Sequence, residues 1–172
     1  MTFSTDSIQN RFSSAFGYQK GLIDEVNSTV NVFKNLSVDD RLAVLWFAYT
    51  EMGRSITPAA PGAARLQLAE GLLNQIKQMP HQDQLQAMRD LAAKNENQIS
   101  RAYGILSANT KLAFWYELSE LMVKGVVIPM PFNYQLSRDG VQVLEAIKGL
   151  DFGQQITVLR KVVTDMGVDP LA

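Results

Sequence analysis

Cysteine is absent from the 172-residue chain, and His81 is its only histidine. Disulfides, thiol catalysis, thiolate metal sites and His-based zinc clusters are excluded together. Charge of one sign is also scarce. Sixteen Lys and Arg face 17 Asp and Glu, for a net charge of -1, and no run of five or more basic residues occurs. A surface that tracks a phosphate backbone is therefore not expected, and neither is nucleic acid as a partner. No apolar run approaches the roughly 18 residues of a membrane span. The start, "MTFSTDSIQNRF", lacks the basic and apolar regions of a secretory signal, so the expected location is cytoplasmic. The G-x-S-x-G, P-loop and G-x-G-x-x-G motifs are missing, and the chain is not expected to be an enzyme. His81 follows Pro80 at an expected helix start and reads as solvated surface. Glu51, Glu117 and Glu120 read as helix surface or caps rather than paired acids.

What is present is helical periodicity and enough apolar residues, 47%, to bury a core. Apolar residues recur at helical spacing almost throughout, which predicts an all-α fold. Two helices are expected near 5–16 and 20–34. Ser37 with Asp40 forms a candidate capping box before "RLAVLWFAYTEM", which Gly53 would close. Pro61 suits the first turn of the next helix, and Pro80 separates that helix from "HQDQLQAMRDLAAK". A short helix is expected near 96–103. Ser107, Ser137 and Asp151 with Gln154 can cap three more, stopping at Gly125, Gly149 and Gly167.

An internal repeat organises these elements. "LSVDDRLA" at 36–43 matches "LSANTKLA" at 106–113 at an offset of 70 residues. "LNQIKQMPHQDQLQAMR" at 73–89 aligns with "LEAIKGLDFGQQITVLR" at 144–160 at an offset of 71, pairing Gln84 with Gln155 and Arg89 with Arg160. Two proline-broken connectors, "ITPAAPG" and "VVIPMPF", lie in equivalent places. The chain thus reads as one domain over 1–172, with related halves at about 35–105 and 106–170. Packing about a pseudo-twofold axis would bring the equivalent aromatic helices to a shared seam. A helix of about 17 residues is about 26 Å long, so such a seam suits a long, thin molecule.

The aromatic and methionine residues crowd onto those helices. Trp46 and Tyr49 are three residues apart and share a face that Met52 continues, while Trp115 and Met122 lie one heptad apart. Seven methionines in so short a chain suit an adaptable apolar pocket. Residue patterns alone leave two readings open: an apolar ligand site, or a helical interaction module whose aromatics are core.

The stretches "LWFAYTEMG", "ITPAAPGAA", "KLAFWYEL", "VVIPMPFNYQL" and "GQQITVLRKVVTDMG" closely resemble the N-terminal, carotenoid-binding domain of the cyanobacterial orange carotenoid protein, from about residue 30 to 169. The resemblance implies two interleaved helical bundles that enclose an apolar tunnel. It also implies a place among the helical carotenoid proteins, stand-alone paralogues of that domain. Carried across by position, it implies that Leu42, Trp46 and Tyr49 match one aromatic wall and Leu112, Trp115 and Tyr116 the other. Gly62 matches a glycine that lets the carotenoid pass close to backbone. Met130 and Tyr134 match a loop on the far side, Val163 lies on the last helix, and Met88 and Met122 are further contacts.

The cofactor so implied is a carotenoid, specifically a ketocarotenoid such as canthaxanthin or echinenone. The implied function is photoprotection by quenching singlet oxygen or excited states. Two alternatives accompany it: an energy quencher that docks on thylakoid-bound phycobilisomes, and a carrier that exchanges pigment with a C-terminal-domain-like partner. Arg160 matches an arginine that joins the domain interface and the antenna in the relatives, whereas Lys161 replaces a residue that is often Asn there. The relatives' light-driven switch needs a C-terminal domain. This sequence ends at "DMGVDPLA", and on its own it is not expected to photoswitch.

Overall fold

A computed structural model describes residues 5–56 and 66–171. Among them are eight helices and no strand: α1 (Thr5–Asn35), α2 (Val38–Ile56), α3 (Leu66–Lys77), α4 (His81–Ala93), α5 (Gln98–Gly104), α6 (Ala108–Val123), α7 (Arg138–Gly149) and α8 (Phe152–Thr164). The all-α expectation holds. Each capping oxygen relieves an N–H that the first turn leaves without an intrahelical partner. Ser107 caps α6 by accepting from Thr110 N, Ser137 caps α7 by accepting from Gly140 N, and Asn97 caps α5 by accepting from Ser100 N. Asp151 and Gln154 form a complete capping box on α8.

Two helix boundaries and one cap differ from expectation. The first two predicted helices are one, because α1 runs unbroken through Gly17 and Gly21. A glycine in a helix interior costs only about 1 kcal/mol against Ala. α1 packs on α7 and α8. Gly53 does not end α2; the helix continues to Ile56. Gly53 lies against the Tyr49 ring, where an added Cβ would come within 2.9 Å of its Cε2. α7 stops at Gly149, as expected. The Ser37 box is half formed: Ser37 accepts from Asp40 N, but the Asp40 carboxylate is used elsewhere. Pro61 lies outside the described residues.

The helices cross between the two halves of the chain. α3 packs on α6 and α7 packs on α2, while α4 and α8 stay with α2 and α6, and α2 touches α6 between them. The two predicted bundles therefore interleave. Corresponding basic residues close each one. Arg41 donates through Nη1 to Ala92 O at 2.8 Å, and Lys111 donates through Nζ to Thr164 O at 3.1 Å and Met166 O at 3.5 Å. Both cap carbonyls at the C-terminal end of a helix, groups with no intrahelical partner.

The C-terminal turn seats on the same framework. Gly167 takes φ +74°, its N–H donates to Leu91 O at 2.9 Å, and Val168 N donates to Ser100 O at 3.0 Å. A Cβ on Gly104 would stand 1.8 Å from Val168 O, so only glycine lets the turn approach α5 this closely. Ion pairs add the rim: Asp165 faces both Lys34 and Lys94, and Glu51 pairs with Lys148 across α2 and α7.

Candidate functional site

Two apolar cavities lie along the seam between α2 and α6. The first, about 120 Å³, takes Leu42, Leu45 and Trp46 from α2, Leu85 and Met88 from α4, and Trp115, Ser119 and Met122 from α6. The connector between α6 and α7 closes it with Ile128, Pro129, Met130, Pro131 and Tyr134. The second, about 30 Å³, is lined by Leu45, Tyr49, Leu112, Trp115, Tyr116, Ser119, Leu159 and Val163. Leu45, Trp115 and Ser119 line both, so the two cavities adjoin there.

The lining order gives the direction of the site. Along α2 it runs from Leu42 and Trp46 in the first cavity to Tyr49 in the second. Along α6 it runs the other way, from Leu112 and Tyr116 in the second cavity to Met122 in the first. Residues ten apart on a helix are about 15 Å apart along its axis, which sets the scale of the aromatic seam. The two cavities adjoin at Leu45, Trp115 and Ser119, an arrangement consistent with the apolar tunnel that the resemblance implies.

Every wall residue expected from the sequence and described in the structure lines one cavity or the other. Leu42, Trp46, Met88, Met122, Met130 and Tyr134 stand in the first, Tyr49, Leu112, Tyr116 and Val163 in the second, and Trp115 in both. Gly62 lies outside the described residues. Arg160 lines neither cavity. It is half-buried on α8, and its Nε is buried without a hydrogen-bond partner among the described residues. His81 is exposed at the start of α4, as expected, and Glu117 is exposed on α6. Glu120 is more than helix surface, because it accepts a hydrogen bond from the Tyr49 hydroxyl beside the second cavity.

The two tryptophans are held differently. Trp46 is half-buried, with its ring 6.2 Å from that of Tyr49, which in turn meets Tyr116 edge-on at 5.3 Å. Trp115 is buried, and its indole Nε1–H donates to the Tyr103 hydroxyl at 2.9 Å. The Tyr103 O–H donates onward to Val163 O at 2.6 Å. Burial pushes the Tyr103 pKa well above its usual value, which keeps the phenol neutral and able to donate. Trp115 is thus both cavity wall and core, and its N–H has the partner that a buried indole requires.

The connector over the first cavity is tied at two points. Gln84, 1% exposed, accepts from Ile128 N at 2.8 Å and donates to Val126 O at 3.3 Å. Buried Asp40 accepts from the Tyr134 hydroxyl at 2.9 Å and Ser137 N at 3.4 Å. Burial and Asp40 push the Tyr134 pKa up to about 12.

The same cavity carries an ion pair that the sequence reading did not place there. Asp39 and Arg89 line it, and the guanidinium is bidentate, with Nε to Oδ1 at 2.7 Å and Nη2 to Oδ2 at 2.9 Å. The Arg89 hydrogen bond holds the Asp39 carboxyl below its ordinary pKa. Fifty residues separate the partners, and spacing in one sequence carries no sign of that contact. Among the described residues no cluster could hold a metal ion.

Fold and site define an all-helical domain whose crossed halves enclose apolar cavities walled by aromatic and methionine side chains. The chain belongs to the orange carotenoid protein N-terminal domain family: the family model "Orange carotenoid protein, N-terminal" matches residues 19–169. An orange carotenoid-binding domain-containing protein of Nostoc sp. (strain PCC 7120) is 77% identical over 172 residues, covering 100% of this chain and 99% of that one. The orange carotenoid-binding protein of Limnospira maxima is 47% identical over 169 residues, covering 98% of this chain and 52% of its own length. The chain therefore spans nearly all of the first relative and about half of the second.

Among solved structures, the red carotenoid protein of Anabaena (Nostoc) sp. PCC 7120 binding canthaxanthin superposes with a TM-score of 0.74 at 44% identity, over 83% of this chain and 97% of that one. The orange carotenoid protein of the same organism, also binding canthaxanthin, superposes with a TM-score of 0.79 at 52% identity, over 86% of this chain and 48% of that one. Among the described residues, no helix is long and apolar enough to cross a membrane.

Proposed function

We propose that this chain is a carotenoid-binding photoprotective protein, not an enzyme, that holds a ketocarotenoid such as canthaxanthin or echinenone and works in the cytoplasm. The observation that carries the reading is the antiparallel α2–α6 seam, with Leu42, Trp46, Met88, Trp115 and Met122 around the first cavity and Tyr49, Leu112 and Tyr116 around the second. This lining fits a polyene, whose length offers polarizable apolar surface and no hydrogen bonds. Flat aromatic faces and pliable thioethers match it. Each 100 Å² of apolar surface removed from water contributes about 2.5 kcal/mol gross. The bound polyene supplies the quenching of singlet oxygen and excited states. The protein's side chains hold it, keep water away and set its conformation.

The same reading treats residues 1–172 as one helical unit with related halves at about 35–105 and 106–170. Pigment-loaded protein is expected to suppress a singlet-oxygen probe in solution while leaving phycobilisome fluorescence unchanged at low salt. Loaded protein that gives no suppression would overturn the reading.

A second reading, docking on thylakoid-bound phycobilisomes, is favoured by Arg160. Its repeat counterpart Arg89 is bidentate with Asp39, but the position equivalent to Asp39 is Asn109, and the Arg160 Nε is buried with no partner among the described residues. A buried guanidinium N–H gains from a carboxylate that a partner supplies. Quenching of phycobilisome fluorescence that is lost in Arg160→Leu, with pigment retained, would put this reading first.

A further inference from the structure

The two cavities differ in what stands at their outer ends. Asp39 lies three residues before Leu42 on α2, on the side away from Tyr49 and the second cavity, so the Asp39–Arg89 pair closes the far end of the first. Arg89 spends Nε and Nη2 on Asp39, which leaves Nη1 without a hydrogen bond among the described residues. The bidentate pair holds the guanidinium in one orientation, whereas a flexible lysine would need to be ordered on binding. At the second cavity the corresponding arginine, Arg160, is not in the wall.

We propose that Arg89, oriented by Asp39, is a specificity-determining donor that receives a ring carbonyl oxygen of the ligand at the outer end of the first cavity. The inference rests on the carotenoid-binding reading and adds to it a chemical preference and a direction. A pigment oxygenated on one ring only enters with that ring toward Arg89 and its hydrocarbon ring toward Tyr49 and Tyr116. Tyr134, whose hydroxyl donates to Asp40, lines the same cavity without competing as a donor.

The test offers apoprotein equal amounts of β-carotene, which has no oxygen, and of echinenone, which has one ring ketone. The uptake ratio is measured together with the carbonyl stretching frequency of bound echinenone. Wild-type protein should favour echinenone by about tenfold, as expected for a hydrogen bond from a charged donor. Its carbonyl stretch should lie below that of the pigment in apolar solvent. Arg89→Met, which keeps an apolar stem, should bring the ratio toward one and return the frequency to the apolar-solvent value. Arg89→Lys gives an independent variant should the Met form fail to fold. It should shift the frequency to a third value, because a point charge replaces the planar fork.

An unchanged ratio and frequency in either variant, with both pigments bound, would overturn the inference while leaving carotenoid binding in place. Failure of wild-type protein to take up either pigment would overturn both.

Discussion

The two cavities are built from corresponding positions and end in different chemistry. Leu42, Trp46 and Met88 line the first, and their counterparts Leu112, Tyr116 and Leu159, offset by 70 or 71 residues, line the second. Leu45 and its counterpart Trp115 line both, together with Ser119. Beyond the walls the halves part. Arg89 is bidentate with Asp39 at the first cavity, whereas Arg160 faces no described partner and lines neither. The lesson is that apolar framework repeats easily, since any side chain of suitable volume serves. A polar group is useful only where its particular partner is present, and that partner differs between the halves.

The largest expected effect separates the two tryptophans, which the repeat places at non-equivalent positions. Trp115→Ala removes a buried ring and leaves the Tyr103 hydroxyl without its indole donor, so it should cost the apoprotein about 3–5 kcal/mol. Trp46→Ala, at a half-buried wall, should cost about 1–2 kcal/mol. Urea unfolding of both apo-variants measures the gap. In pigment retention the two should rank closer together, since both line the first cavity. Equal unfolding costs would show that Trp46 is core as well.

Next comes the pair of basic clamps. Removing Arg41 or Lys111 as a Met variant strips donors from helix-end carbonyls and should cost about 1–3 kcal/mol each. The two should separate with pH. Burial lowers the Lys111 pKa, so the folded protein releases that proton before the unfolded chain does. Stability contributed at this position therefore rises as pH climbs through the folded pKa toward 10.5. Lys111→Met should flatten that rise, and Arg41→Met should leave it in place.

The smallest effect concerns Asp39. Its pKa is lowered first by the Arg89 hydrogen bond, so its stabilisation is present above the ordinary carboxylate range and is lost as pH falls through the depressed value. Because the pair is well exposed, Asp39→Asn should cost below about 1 kcal/mol near neutrality. The difference from wild type should vanish in acid.

How much of this was readable from the sequence depended on the range of the interaction. The caps of α6, α7 and α8 were legible because Ser107, Ser137 and Asp151 act within three residues of themselves. The helix end placed at Gly53 and the break expected in α1 differ because a glycine lowers helix propensity by only about 1 kcal/mol and does not by itself end a helix. Gly53 packs against the Tyr49 ring within α2, and Gly17 and Gly21 lie exposed within α1. The wall positions were legible through helical spacing together with family resemblance. The Asp39–Arg89 pair, the Gln84 latch and the place of Leu45 and Ser119 in both cavities were not, because each depends on how crossed helices meet.

The most direct test of the central claim is the visible spectrum of the protein purified from a host that makes canthaxanthin, set beside the same protein from a host without carotenoids. The account predicts a coloured product from the first host alone. Its band should be broadened and red-shifted from the free pigment, because aromatic walls planarise and polarise the polyene. A colourless, folded product from the carotenoid-producing host would contradict it and leave the aromatic seam as hydrophobic core.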